Sequence, residues 1–492
     1  MGRWRIVRGA APPNAIAFLG HPARSAAPPE ADILRQGNTR ATLRVPGLGI
    51  VKLLHRVGSR EKLAALGAPS VLAREYDLTE AAIARGVPAP RPILCAERRS
   101  LGLLREAAIV LEVIPDAASL QHLIETNFPA PGRRRRPHGD VRRALTSFGR
   151  ALARLHGAGG VHGDPSPDNV LVTEDGRVVL IDWPFALFAG ETTADRRALT
   201  RRAAKRYHTT PAHVAAALNG YGRDGFASDP FRTLCADDLM KAAAAQIQFG
   251  TPTREIRAFL RAYCRQLGFG RAEERQTIER VAAAYTPILR SSARRTIRNA
   301  DRDSRRTASI RERRTVLCYR RGAPLDAVAE ALETETPRFE RRERDDAAGT
   351  WRNACALARF SLPARIHAAC RFDGRSGRGT LLLERPAEPF EPITSPCPVR
   401  LAGFVRQLHA FGFRFVFCSD ATLVEQPPSL GPFTFRQGYG YVLDDAGAVE
   451  YAPEKPTEAS AGAVAGWLRE RDGEDAAAAF LERVNRRLRF HV

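Results

Sequence analysis

Between residues 161 and 183 the chain reads VHGDPSPDNVLVTEDGRVVLIDW. Two short apolar runs, NVLVT and RVVLID, are joined by Glu174-Asp175-Gly176, a strong turn signal between strands. His162, Asp164 and Asn169 precede or open the first run, and Asp182 ends the second. A hairpin over this span returns the end of its second strand to the start of its first, so Asp164, Asn169 and Asp182 converge. Carboxylate and amide oxygens suit Mg2+. A hydroxyl attacking a γ-phosphoryl group needs an aligned acceptor for its proton, a metal to neutralise the triphosphate and a cation to hold the phosphates in line. Asp164 is placed to accept or orient the hydroxyl, and Asn169 and Asp182 to hold Mg2+. His162 is expected to shape the loop rather than act as ligand or base.

This chemistry predicts two partners upstream, a lysine on a strand and a glutamate on the next helix. Lys52 lies in GIVKLL and Glu75 in AREYDLTEAAIARGVPAP. Taken singly, each residue has a bland reading as a turn former, a cap or a solvated charge. The ordered set of five is what argues for a site. A phosphate-covering turn is expected to work through the backbone of Gly37, Asn38 and Thr39 in RQGNTR. Glu112 and Val113, at the end of AAIVLEVI, are assigned to the nucleotide site with them.

The elements that must position these residues follow from pattern. Residues 33 to 54 alternate as strands broken by Gly37-Asn38 and PGLG. Residues 70 to 85 form a helix that stops at Gly86, with Pro88 and Pro90 beyond. PILCAE and AAIVLEVI read as strands, and residues 141 to 158 repeat apolar positions at helical spacing. Residues 190 to 290 are mostly helical in pattern. Residues 1 to 30, rich in Ala, Pro and Arg, are expected to be poorly ordered.

With these pieces in order, residues 30 to 290 resemble the protein-kinase-like fold, with an N-lobe over 31–115 and a C-lobe over 116–290. The segments ILRQGNTRATLRV, IVKLLHR, AREYDLTEAAIARGVPAPRPI and LARLHGAGGVHGD resemble bacterial lipopolysaccharide kinases, which phosphorylate heptose or 3-deoxy-octulosonic acid of the lipid A core. The resemblance implies ATP- and Mg2+-dependent phosphorylation of a hydroxyl on a core sugar or similar glycan. Some motifs are shared with aminoglycoside-type phosphotransferases and small protein kinases, so a small-molecule or protein acceptor is the alternative. The sequence departs from eukaryotic protein kinases in several places. It has no GxGxxG, it carries HGD rather than HRD, and Trp183-Pro184 replaces Phe-Gly.

The 492 residues carry a formal charge of +22, which calls for an anionic partner. Arg133, Arg134, Arg135 and Arg136 in GRRRRPHGDVRR are candidates to touch an anionic glycolipid or an acidic leaflet. The bland reading is a solubilising loop or a nucleic-acid contact; no aromatic residues interleave the arginines, which argues against a single-strand-binding platform, and no nucleic acid is expected. No CxxC pair occurs among the eight cysteines, so buried reduced thiols and a cytoplasmic setting are expected. No run reaches the ~18 apolar residues of a membrane span, so contact with the inner membrane face would be peripheral.

Residues 290 to 314 hold ten arginines against Asp301, Asp303 and Glu312, and 291–312 reads as a basic linker. Beyond it, TWRNACALARFSLPARIHAA, RGTLLLERP, FVRQLHAFGFRFVF and YVLDDAG echo the first domain in order. Leu317 or Cys318 stands where the lysine belongs and Asn353 near the glutamate position, leaving Asp444 or Asp445 as the one acid. The expected fold class is therefore α+β, a two-lobed kinase-like domain followed by a degenerate, pseudokinase-like α+β domain over 313–492. A regulatory or scaffold tandem with little turnover is the reading from another class.

Overall fold

The computed structural model describes residues 4–10, 31–36, 39–55, 68–127, 139–190, 209–249, 253–304, 307–359, 367–385, 396–415, 441–444, 446–452 and 457–485, with shorter stretches and single positions between them. The chain forms two compact units. The first comprises Met1–Leu120, Asp140–Ala242 and Ala258–Thr277, and the second Gln121–Gly139, Ala243–Arg257 and Ile278–Val492.

In the first unit, β1 (Trp4–Gly9), β2 (Asp32–Gln36), β3 (Arg40–Val45) and β4 (Gly49–Leu54) are followed by helix α1 (Val71–Ala84), then β5 (Pro92–Ser100) and β6 (Leu103–Leu111). The six strands form one antiparallel sheet in the order β1-β5-β6-β4-β3-β2. Alternation along the strands sorts the apolar side chains to two faces. Leu54, Cys95, Leu104, Ala107 and Ile109 pack against Leu72, Ala73 and Tyr76 of α1. Val51, Leu94, Ala96, Ala108 and Val110 pack on the other face with Ala15 and Leu19. The start of α1 is fixed by Ser70, whose Oγ accepts from the N–H of Ala73 at 3.1 Å. Gly86 follows its end at φ 71°, a conformation glycine adopts without strain.

The chain continues through β7 (Ala117–Ser119), α2 (Leu120–Asn127), α3 (Gly139–Gly157), β8 (Gly160–Val161), β9 (Val170–Thr173), β10 (Val178–Leu180) and β11 (Leu187–Phe188). Strands β10, β9 and β7 pair in that order, and β11 pairs β8. Helices α4 (Pro211–Asp224), α5 (Asp229–Gln248), α6 (Thr253–Gln266) and α7 (Arg271–Asn299) follow.

The second unit holds β12 (Thr307–Glu312), β13 (Thr315–Arg320), α8 (Leu325–Glu333), β14 (Phe339–Arg344), α9 (Ala347–Arg359), β15 (His367–Asp373) and β16 (Gly379–Glu384). It continues with β17 (Glu391–Pro392), α10 (Pro398–Ala410), β18 (Phe413–Phe415), β19 (Leu423–Glu425), β20 (Tyr441–Leu443), β21 (Val449–Tyr451), α11 (Thr457–Asp472) and α12 (Glu474–Asn485). Its five-stranded sheet lies between two helices. Val316, Cys318, Cys370 and Leu381 meet Trp351 of α9, whereas Ala369 and Leu382 meet Val328, Ala331 and Leu332 of α8. No disulfide joins the described cysteines.

Two expectations need correction. Residues 4–9 of the supposedly poorly ordered N-terminus form β1, held by pairing with β5. Residues 291–299 of the supposed basic linker are the last turns of α7, and 307–312 are β12. Arg294, Arg295 and Arg298 sit on α7, whose helix face is compatible with their long stems.

The degenerate copy expected over 313–492 is not confirmed. Helix α8 stands between β13 and β14 with no counterpart in the first unit, and the strand order is β12-β13-β15-β16-β14. In the first unit the strand before the helix, β4, lies inside the sheet between β3 and β6; in the second, β14 lies at the edge beside β16. The cause is the connection. Only residues 46–48 separate β3 from β4, whereas α8 and its flanks separate β13 from β14 and carry the chain across the sheet. Asp444 is bonded on both oxygens, to Arg342 Nη2 at 2.8 Å and Arg365 Nη1 at 3.0 Å. Asn353 donates to the carbonyl of Val449 at 2.7 Å, Cys318 is in the core, and Asp445 lies outside the described residues.

Helices α3 and α6 pack at close range through Gly149. A Cβ at this position would fall on the carbonyl oxygen of Phe259, and the Phe148 and Phe259 rings sit 5.0 Å apart. Alanine is favoured over glycine in a helix by about 1 kcal/mol, but overpacking against backbone costs about 1–3 kcal/mol. Gly149→Ala is therefore expected to lower the thermal midpoint of the first unit. A raised midpoint would show that the two helices separate freely.

Candidate active site

Alternation along β4 sends Lys52 to the opposite face from buried Val51. Its ammonium bonds Glu75 of α1 and reaches Asp182 Oδ1 at 2.9 Å. The Lys52 side chain is 17 % exposed, that of Glu75 3 % and that of Asp182 36 %. Burial disfavours the charged lysine, but Glu75 and Asp182 outweigh it and hold the ammonium above its usual pKa. Burial opposes the ionised form of Asp182 as well, and Lys52 again prevails, keeping its carboxyl below the ordinary value.

The hairpin behind Asp182 forms as its turn residues require. Strands β9 and β10 pair from Val170↔Leu180 to Val172↔Val178, with Gly176 at φ 80°. Past its end, the N–H of Ile181 donates to the carbonyl of Asn169 at 3.0 Å, which fixes Asp182 one residue away. The Asn169 amide NH2 donates to the carbonyl of Asp164 at 3.0 Å. The two acids and the amide are thus tied together through backbone, as the hairpin spacing requires. Asp182 itself sits at φ 69°, a left-handed conformation that costs a non-glycine residue of order 1 kcal/mol. Trp183 is buried beside it, with its Nε1 donating to the carbonyl of Leu180 at 3.0 Å and its ring 4.8 Å from that of His162.

His162 is fully buried, which pushes its imidazole below the usual pKa and keeps it neutral. Its Nε2 donates to the carbonyl of Ile181 at 3.2 Å, and Nδ1 faces the N–H of Asp164 at 3.4 Å. The carbonyl acceptor fixes the tautomer. Gly163, at φ 81°, explains HGD in place of HRD: a Cβ there would come within 2.6 Å of the carbonyl oxygen of Phe185.

Sequence reasoning missed the group that anchors this loop. Asp238 of α5 is fully buried and accepts from the backbone N–H of His162 at 2.6 Å and of Gly163 at 3.0 Å. The Tyr207 hydroxyl donates to it at 2.7 Å, and His156 Nε2 lies 3.5 Å away. His156 in turn meets the Tyr263 hydroxyl at 2.7 Å. Burial alone would raise the Asp238 carboxyl; His156, Lys241 and Tyr207 instead lower it to about 2. The one signal available was a pair of acids, Asp237-Asp238, inside an otherwise apolar stretch of helix.

The remaining assigned residues fall differently. Gly37 and Asn38, and Arg133, Arg134, Arg135 and Arg136, lie outside the described residues. Thr39 is exposed, and its carbonyl accepts from the N–H of His55. Glu112 turns back on Arg91: its N–H donates to the carbonyl of Arg91 at 2.9 Å and its carboxylate accepts from the N–H of Arg91 at 2.7 Å. Val113 follows, half-buried.

Among the described residues no group of three or more His, Cys, Asp or Glu could hold a metal ion. The donor set present, one amide oxygen and one ionised carboxylate, suits Mg2+, which is commonly held by one or two carboxylates together with substrate phosphates.

Replacing Asp238 with alanine leaves the buried N–H groups of His162 and Gly163 without their acceptor, at about 1–3 kcal/mol each. Asp238→Ala is expected to destabilise the loop and raise amide exchange at 162–164, while the Lys52–Glu75 pair persists. Because the folded pKa is depressed, the stability from Asp238 is fully present above its unfolded value of about 4. It is lost as pH falls from there toward about 2. Acid unfolding of wild type and Asp238→Asn should therefore converge in that window, and parallel curves would refute the assignment.

Among curated proteins none matches the chain. Residues 52–207, which run from the lysine through the hairpin, match the model of the lipopolysaccharide kinase (Kdo/WaaP) family.

Proposed function

We propose that the first unit transfers the γ-phosphoryl group of ATP to a hydroxyl of a lipopolysaccharide core sugar or a similar glycan. The observation that supports this most directly is the Lys52 ammonium held between Glu75 and Asp182, beside a loop that ties Asp164 and Asn169 to the same hairpin. In this reading Lys52 binds the triphosphate, and Glu75 keeps the lysine in place. Asn169, through its amide oxygen, and Asp182 are the residues that would hold Mg2+, which would supply neutralisation of charge on the triphosphate. The acceptor oxygen attacks the γ-phosphorus, its proton passes to the Asp164 carboxylate, and the bond to the bridging oxygen of ADP breaks. His162 and Asp238 act by fixing the loop that carries Asp164.

The family match supports a phosphotransferase, and the sugar acceptor is carried over from that family. No described helix is long and apolar enough to cross a membrane.

The test is transfer from γ-labelled Mg·ATP to purified lipid A–core glycolipid, with a protein substrate and a panel of soluble sugars and aminoglycosides alongside. Wild type is expected to label the glycolipid. Asp164→Asn is expected to lose about 10²–10⁴-fold in turnover while still binding nucleotide. Equal rates for the two would overturn the role of Asp164, and label on the protein or the soluble panel alone would overturn the glycan acceptor.

A further inference from the structure

Strand β1 lies outside the matched segment 52–207 and adds a sixth strand to the sheet beyond β5. Its pairing with β5 runs Trp4↔Arg98, Arg5↔Glu97 and Ile6↔Ala96, then jumps to Arg8↔Cys95 and Gly9↔Leu94. Val7 is the extra residue of a β-bulge. In a regular strand Val7 and Arg8 would point to opposite faces. The bulge puts both on one face, the re-aiming that bulges commonly serve.

That face is the one covered by α1. Val7 packs on the cluster that holds Leu72, Ala73 and Tyr76 of the helix, and Cys95, opposite Arg8, belongs to the same cluster. Arg8 grips Asp77 in a two-pronged ion pair, Nε to Oδ1 at 2.6 Å and Nη2 to Oδ2 at 3.0 Å. Its third nitrogen, Nη1, donates to the carbonyl of Val7 at 2.8 Å, which holds the guanidinium in the plane of that fork. Gly9 closes the strand at φ 71°, where any Cβ would strike the carbonyl of Ile93. Asp77 is two residues from Glu75, the residue that holds Lys52.

We propose that β1 is a strap whose positioning residue is Arg8: through Asp77 it holds α1, and with α1 it holds Glu75 against Lys52. The strap rests on the reading of Lys52–Glu75 as part of the nucleotide site, but its mechanical part does not. Helix α1 is fastened to the sheet by two ion pairs from two different strands, one inside the matched domain and one outside it.

The first measurement is amide exchange across Val71–Ala84 in the nucleotide-free protein, which needs no acceptor or activity. Arg8→Ala and Asp77→Ala are each expected to speed exchange there about fivefold, with the rest of the first unit unchanged. The charge swap, Arg8→Asp combined with Asp77→Arg, should restore protection. Arg5→Ala, an exposed neighbour on the same strand, should leave exchange unaltered. Both partners are only half-buried and so remain open to screening, and the difference between wild type and Arg8→Ala should shrink in 1 M salt. The second measurement is Mg·ATP turnover, expected to fall about tenfold in the single variants and to recover in the swap. Unchanged exchange in Arg8→Ala, or a swap no better than the single variants, overturns the strap. Altered exchange with no turnover even in wild type would leave the strap standing and sink the nucleotide-site reading instead.

Discussion

A lysine charge taken almost wholly out of water must be met by carboxylates, and much of the first unit is arranged around that requirement. Lys52 enters from a central strand, Glu75 from a helix and Asp182 from the end of a hairpin. None of these is near another in sequence. Losing one partner of a buried ion pair typically costs about 3–5 kcal/mol, so the sheet, the helix and the hairpin cannot drift independently. The left-handed backbone at Asp182 belongs to the same constraint, because the local cost is borne where surrounding bonds over-determine the residue.

Much of this was legible in the sequence because the information is local. The strands around Lys52 alternate, α1 begins at a serine and ends at a glycine, and Glu174-Asp175-Gly176 marks the hairpin that brings Asn169 and Asp182 together. What could not be read are contacts made at long separation. Asp238 lies 76 residues from His162 and had no motif around it. Arg8 lies 69 residues from Asp77, and its direction depends on a one-residue bulge that no period-two pattern announces. The Arg-rich stretch at 290–314 misled for a related reason. Composition reports solvation, and a solvated helix face and a linker share it.

The second unit shows the limit of matching elements by type. Helix α8 enters between β13 and β14, and β14 lies at the sheet edge beside β16. The acid expected there to face a metal faces arginines instead. Asp444, Arg342, Arg365 and Glu340 form a four-membered charge network, with Arg365 7 % exposed and bonded to both acids. Such a network is costly to open at Arg365, which would be left buried without its counter-charges. It gives the second unit a fixed internal joint between β14, the segment before β15 and the end of β20.

Gly163 carries a consequence for how this site can be adjusted over time. With its backbone closed against Phe185, position 163 offers no side chain through which a distant signal could grip the loop at 162–164. Any residue larger than glycine there must first displace the segment at 183–185, which is pinned by Trp183. Positions 163 and 185 therefore behave as a single unit of variation: a change at one is tolerated only with movement at the other. The loop is built to stay assembled, and control over it has to act through the helix and strands around it.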